Sequence, residues 1–315
     1  MRVAITGVSG YLGSLLAERL VAEGIRGADL VGIDRLGSHL PASRMRYVRR
    51  DVTDPRLHRD LSGCDVVVHM AAVVETPRDP RRSYEVNVGG TRSVLEACER
   101  AAVPNVVMAS SIAAYGVQGT RILHEDTPLQ GGPESLYGHT KRLAEEQLDL
   151  FEERNRNVRV ARLRPSVVLG PRYRGWAEEA LREAGRLDVP RGLRLPIIHE
   201  ADVVEAFWRA IAQPVRGAFL VARREPVTGA DMAGLLSRRR VVVPERVLLG
   251  LVDARFALGL SPLGRDFVVL AARNDYRCNP SRTERELDWQ PSRPAEEAVR
   301  AVFGPPGGAR RPVAA

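Results

Sequence analysis

A chain of 315 residues, 44% hydrophobic and 27% charged, has an ordinary globular composition and is long enough for one large α/β domain plus a smaller appendage. It has no run of about 18 apolar residues, which argues against a membrane-spanning helix; the longest apolar region, Val247 to Leu260, is broken by Asp253 and Arg255. The net charge of +8 is spread along the chain, and its clusters (Arg44, Arg46, Arg49 and Arg50; Arg238 to Arg240) have no interleaved aromatic beyond Tyr47, so solvated basic surface is expected and no nucleic-acid partner.

The first half alternates short apolar strands with amphipathic helices, the pattern of a doubly wound parallel sheet. Strands are predicted at Arg2 to Thr6, Asp29 to Ile33, Met45 to Val48, Asp65 to Met70, Asn105 to Ala109 and Val158 to Leu163. Helices are predicted at Tyr11 to Glu23, Ser83 to Ala102 and Ser135 to Glu153. After Gly170-Pro171 the pattern loosens. A short helix is expected around Glu178 to Ala184, another over Ala201 to Ile211, a last sheet strand at Gly217 to Val221, and helices without clear ends from Val227 to Ala272. The expected organisation is a sheet domain of residues 1–170, returning near 198–222, with a small lobe from 171–197 and 223–300 and a disordered tail from 304 to 315.

The chain opens on Met1-Arg2 and runs straight into a strand, without the pattern of a signal peptide. Cys64, Cys98 and Cys278 are scattered and lack metal-ligand spacing, so reduced thiols, a cytoplasmic location and no metal are expected. Lys141 is the single lysine among 47 basic residues. On a solvated surface arginine would serve as well, so a lone lysine points to a task for a compact ammonium.

Thr6-Gly7-Val8-Ser9-Gly10-Tyr11-Leu12-Gly13 joins the first strand to the first helix. Glycines at 7, 10 and 13 allow a tight turn and let a pyrophosphate approach the helix N-terminus, where unpaired N–H groups and the helix dipole favour anions. Asp34 closes the second strand; a carboxylate there accepts from adenosine ribose hydroxyls and repels a 2′-phosphate, favouring NAD over NADP, while the adjacent Arg35 works the other way. Asp51-Val52 would suit the adenine edge. Tyr137 and Lys141 stand at i and i+4 on a helix, hence on one face. A tyrosine of ordinary pKa about 10 is a poor acid or base near neutrality, and a neighbouring ammonium would stabilise its phenolate.

Taken in order, the glycine turn, Asp34, Asp51-Val-Thr-Asp54, His69-Met-Ala-Ala72, Asn87-Val-Gly-Gly-Thr91, Ala109-Ser-Ser-Ile-Ala-Ala-Tyr-Gly116, Tyr137-Gly-His-Thr-Lys141 and Arg164-Pro-Ser-Val-Val-Leu-Gly-Pro171 resemble the extended short-chain dehydrogenases, also called the NAD-dependent epimerase/dehydratase family. His199-Glu-Ala-Asp202 and Leu287-Asp-Trp-Gln-Pro291 continue the likeness to about residue 300. The resemblance implies a Rossmann-type fold and a catalytic set of Ser111, Tyr137 and Lys141. It implies cofactor contacts from Gly7, Ser9, Gly10, Tyr11, Leu12, Gly13, Asp34, Arg35, Asp51, Val52, Met70, Ala71, Ala72, Asn87, Tyr137, Lys141 and Pro165. Substrate contacts would come from Val74, Ser111, Tyr115, Tyr137 and Arg172. His69, Asn87 and Asp202 also carry a structural or capping reading, and Tyr115 one of packing under the site. Family dimers pair the helices matching Ser83 to Ala102 and Ser135 to Glu153, so a homodimer is expected.

Ser111 is followed by Ile112, Ala113 and Ala114, where the family's sugar dehydratases carry an Asp-Glu pair; elimination is therefore disfavoured. The resemblance leaves an epimerase acting on a (nucleotide-)sugar through a keto intermediate as the leading expectation. Family epimerases of nucleotide sugars usually carry a long segment here, ending in a glycine-rich turn and an Arg-Asp pair, whereas only 27 residues separate Pro171 from His199 and Pro196-Ile197-Ile198-His199 replaces the polar approach. The alternative is a ketone reductase or alcohol dehydrogenase of the hydroxysteroid or dihydroflavonol type, with Val247 to Leu260 as pocket wall or plain core. A non-catalytic NAD(P)-binding regulator would have no need of an intact Ser111, Tyr137 and Lys141.

Overall fold

β-branched runs form the sheet, as parallel strands buried on both faces require. In this computed structural model, described for residues 1–303 except 39, 75–78, 176–177, 179–180, 182–185, 238 and 262–263, seven strands pair in one sheet. They are β1 (Val3–Thr6), β2 (Gly27–Asp34), β3 (Met45–Arg49), β4 (Val66–His69), β5 (Asn105–Ala109), β6 (Arg159–Pro165) and β7 (Gly217–Val221). Their order is β7-β6-β5-β4-β1-β2-β3 and every pairing is parallel. All four residues of β1 and of β4 are buried. The order reverses between β1 and β4, so a crevice opens beyond their C-terminal ends, where such sheets place ligands.

Helices α1 (Tyr11–Ala22), α2 (Leu57–Leu61), α3 (Thr91–Arg100), α4 (Leu136–Arg154) and α5 (Glu200–Ala212) accompany the sheet. The single helix expected from Ser83 to Ala102 is three pieces: a turn at Arg81–Ser83, a π-helical stretch Tyr84–Gly90, and α3. The wider winding carries Asn87, whose amide holds the backbone of Val73 through both groups (Val73 N–H to Oδ1 2.7 Å; Nδ2 to Val73 O 2.9 Å).

Beyond β6 the chain forms short strand pairs that periodicity did not reveal. Val167–Leu169 pairs with Ile197–His199, Arg194–Leu195 with Val227–Thr228, and Leu187–Asp188 with Val241–Val242. With α6 (Gly229–Leu235), α7 (Glu245–Ala257), α8 (Arg265–Arg273), α9 (Ser281–Glu286) and α10 (Ala295–Phe303) these surround a second hydrophobic cluster that includes Leu181, Leu195, Met232, Val268 and Val299. The expected helix Glu178 to Ala184 falls largely, and the tail from 304 wholly, outside the described residues. Asp202 ties the C-terminal segment to α5, accepting from Ser292 N–H (3.1 Å), Ser292 Oγ (2.7 Å) and Arg293 N–H (3.1 Å). Among the described residues no helix is long and apolar enough to cross a membrane.

Candidate active site

A cavity of about 330 Å³ lies at the crevice between the sheet and the second cluster. One wall is the glycine turn. Gly7 has φ +73°, and a Cβ on it would lie 2.6 Å from Ala71 N, so the turn closes only on glycine. Gly10 is the N-cap of α1 and offers no side-chain acceptor, and Gly10, Tyr11, Leu12 and Gly13 line the cavity. The first N–H groups of α1 are thus left to an anion from outside. Tyr11 is held in place by its hydroxyl, which donates to Glu200 (2.5 Å), and by the edge of Tyr173.

Asp34 lies outside the cavity at the end of β2, its carboxylate accepting from Ser9 N–H and Leu36 N–H (3.0 Å each). Ser9 Oγ donates to Gly37 O (2.9 Å), so Ser9 stitches this end of the crevice together. Arg35, half exposed, pairs with Asp51 across 3.6 Å. Val52 is buried and Ala71 packs under Gly7, while Met70, Ala72 and Val74 line the cavity. Asn87 does not line it; buried, its amide also donates to Thr140 Oγ1 (3.0 Å), and it acts on the site through Val73 and α4.

The opposite wall carries the chemistry. Ser111 caps a 3-10 turn, Ile112–Tyr115, its Oγ accepting from Ala113 N–H (3.1 Å). Ser135 caps α4 in the same way through Gly138 N–H (3.1 Å). A Cβ on Gly138 would lie 2.4 Å from Ala113 O, so glycine here lets α4 press directly on the turn that holds Ser111. Tyr137 and Lys141 then meet Ser111 at the cavity. Burial pushes the Tyr137 phenol up to about 12, and a hydrogen bond to Ser111 pulls in the opposite direction. Burial lowers Lys141 to about 8, with the Glu145 carboxylate opposing. Lys141 Nζ donates to Ala109 O (2.7 Å) and stands 5.7 Å from the Tyr137 ring centroid. His69 is spent on structure between Thr6 Oγ1 (2.7 Å) and Thr91 Oγ1 (3.1 Å).

Two candidate substrate contacts lie off the cavity, and for Tyr115 the packing reading holds. Tyr115 is fully buried and off the cavity, its hydroxyl donating to His124 O (2.8 Å) and accepting from Arg164 (2.9 Å), so it packs under the site and does not reach substrate. Arg172 faces an adjoining groove that shares Gly10 and Tyr11 with the cavity, and pairs there with Glu18 (2.5 Å). Pro165 lines the cavity, but the Arg164 side chain turns inward to Glu145 (2.6 and 2.8 Å). The apolar segment Val247 to Leu260 contributes no cavity residue; only Leu248 and Leu249 of α7 are buried, in the second cluster. The wall comes from α8, through Asp266, Phe267, Leu270 and Ala271, and from Tyr276. Ser166 was also missed. Its Oγ is buried beside Pro165, lines the cavity and finds no partner among the described residues.

The family model of NAD-dependent epimerases and dehydratases matches residues 3–222. The chain belongs to that family. NAD is its cofactor, and the site fits it: uncapped N–H groups stand where a pyrophosphate would lie, a carboxylate closes β2, and the orphaned Ser166 hydroxyl stands beside Pro165. D-erythronate dehydrogenase from Cupriavidus necator is 35% identical over 186 residues, 54% of this chain and 56% of that relative. Sterol demethylase protein B from Methylococcus capsulatus is 28% identical over 331 aligned residues, 96% of each chain. The chain spans about half the length of several other curated relatives it matches. Among solved structures, MoeE5 in complex with UDP-glucose and NAD superposes with TM-score 0.74 at 24% identity, covering 96% of this chain and 97% of that one.

Proposed function

We propose that this protein catalyses NAD-dependent hydride transfer at a secondary alcohol or ketone carbon. The observation that carries the reading is the convergence of Ser111, Tyr137 and Lys141 on the cavity wall facing the glycine turn. When bound, NAD supplies the hydride acceptor or donor; Gly10 to Gly13 would hold its pyrophosphate, Asp34 its adenosine ribose, and Ser166 with Pro165 its nicotinamide end. Ser111 orients the substrate oxygen toward Tyr137, whose phenol gives or takes the proton at that oxygen. Lys141 places its ammonium beside the Tyr137 ring, favouring the phenolate, and is itself steadied by Ala109 O.

An epimerase passes through the same ketone, and the UDP-glucose complex of MoeE5 supports a nucleotide-sugar substrate. An apolar wall of Phe267, Leu270 and Ala271 favours a net alcohol or ketone redox reaction. The intact set of three polar groups speaks against a non-catalytic regulator. Three free buried thiols support a reducing, cytoplasmic setting, and exposed Tyr84 and Leu150 on the outer helices support a homodimer. Tyr137→Phe tests the chemistry, because it removes the proton donor and keeps the ring. Turnover should fall on the order of a hundredfold or more with NADH binding retained, by stopped assay and fluorescence titration. Near wild-type turnover would remove Tyr137 from the reaction.

A further inference from the structure

A nucleoside diphosphate carries about two negative charges, and proteins meet such groups with arginine forks, lysines or helix N-termini. No arginine lines this cavity among the described residues, and the helix N-terminus that α8 presents to it, capped by Gly264, carries Asp266 in its first turn. Among its described lining residues the one cation is Lys141, a catalytic group whose Nζ is already engaged by Ala109 O. The remaining charge there is negative: Asp266, at the start of α8, faces the cavity while its Oδ2 accepts from Leu136 N–H (2.7 Å). Apolar surface in the lining comes from Ile112, Val167, Tyr173, Phe267, Leu270 and Ala271. This scarcity is notable in a chain with 46 arginines, counted as 47 basic residues less one lysine.

Several arginines near the lining in sequence are engaged elsewhere, among them Arg265, between Gly264 and Asp266, which pairs with Asp253 (3.4 Å). Arg194, two residues before the cavity residue Pro196, pairs with Asp275 (3.8 Å) and donates to Arg191 O (2.6 Å) and Gly192 O (2.8 Å). Arg191 also pairs with Asp275 (3.4 Å). Arg174, one residue after Tyr173, donates to Pro171 O (3.0 Å) and Tyr173 O (2.6 Å). Leu195 is fully buried in the second cluster, so the approach to His199 is apolar as well.

We infer that the substrate is an uncharged, largely apolar alcohol or ketone, packed between the Ser111–Tyr137 pair and α8, and that nucleoside diphosphates are excluded. This rests on the hydride-transfer reading above and names its substrate class. The apolar surface drives binding, while Asp266 repels a diphosphate. The likeness to a sterol demethylase protein over 96% of each chain agrees with that chemistry.

The test is calorimetric titration of the NADH-loaded protein with 2-decalone, a bicyclic ketone, and separately with UDP-glucose, followed by NADH oxidation with the same two probes. The ketone should bind at least tenfold more tightly than UDP-glucose, and Asp266→Asn should narrow that gap by strengthening UDP-glucose binding. Equal or tighter binding of UDP-glucose overturns the inference, as does failure of the ketone to bind. Ketone binding without NADH oxidation upholds the substrate class and sinks the hydride-transfer reading, so the two failures are distinct.

Discussion

Tyr137 reaches the cavity from a half-buried position whose desolvation by itself disfavours its working form. Burial pushes its phenol up to about 12, against the pull of the Ser111 hydrogen bond. Lys141 explains why one lysine interrupts a chain of arginines. Its head group is buried against Ala109 O at 2.7 Å, beside a tyrosine ring and within the influence of Glu145. A planar guanidinium with five donors would be larger and would leave several of them unpaired there. The same burial sets a pH dependence through His69, which is lowered to about 3 by desolvation and by the charge of Lys141. From its ordinary value of 6.5 down to that value, the unfolded chain binds a proton the folded chain refuses. Stability therefore falls as pH falls through this window, by about 1.4 kcal/mol per unit of pH from this group. The expected signature is a His69 ring resonance that stays at its neutral position down to pH 5 while the protein remains folded. A midpoint near 6.5 would show that the imidazole is not enclosed between the two threonines.

At the scale of elements, the site depends on how α4 is seated. Tyr-x-x-x-Lys spacing on a helix was readable from residue types alone, and α4 starts one residue from its expected place. The reason it can approach Ser111 was not readable. Gly138 lies inside the Tyr–Lys motif, and its Cα rests so close to Ala113 O that a Cβ would stand 2.4 Å away. Gly138→Ala should therefore separate α4 from the Ser111 turn. A loss of about 1–3 kcal/mol in denaturant unfolding is expected, with kcat falling more than the affinity for NADH. An unchanged kcat would mean that the contact between helix and turn has no part in alignment. The expected Ser83 to Ala102 helix shows the opposite limit. Its apolar spacing was sound, but the π-helical Tyr84–Gly90 stretch is set by what Asn87 must reach at Val73, a partner 14 residues away.

For the whole molecule, the outer faces of the π-helical stretch and α4 leave Tyr84 and Leu150 exposed among charged residues. If these faces pair in a homodimer, Leu150→Glu should bury an unpaired charge at the interface and yield a monomer by light scattering at micromolar concentration, with little change in monomer fold. A wild-type protein that is already monomeric at that concentration overturns the assembly.

The sheet, the glycine turn, Asp34 at the end of β2 and the Tyr137–Lys141 couple could all be read from order and spacing, because each depends on local geometry: a strand's period, a helix's turn, a tight bend that excludes Cβ. The resemblance added Ser111, which the turn capped by its own side chain then brings to Tyr137. What residue order could not reveal is the far wall. Asp266, Phe267, Leu270 and Tyr276 come from a segment more than 120 residues beyond Tyr137 and meet it only after the short strand pairs and the second hydrophobic cluster have folded. The apolar composition of Val247 to Leu260 left pocket wall and plain core equally open, since hydrophobicity reports that a segment seeks apolar company and not which surface supplies it. The alternative of a substrate contact from Tyr115, and the contact expected of Arg172, miss the cavity for the same reason. A side chain's direction follows its nearest partners in space, Arg164 for one and Glu18 for the other, and only the tertiary structure decides those.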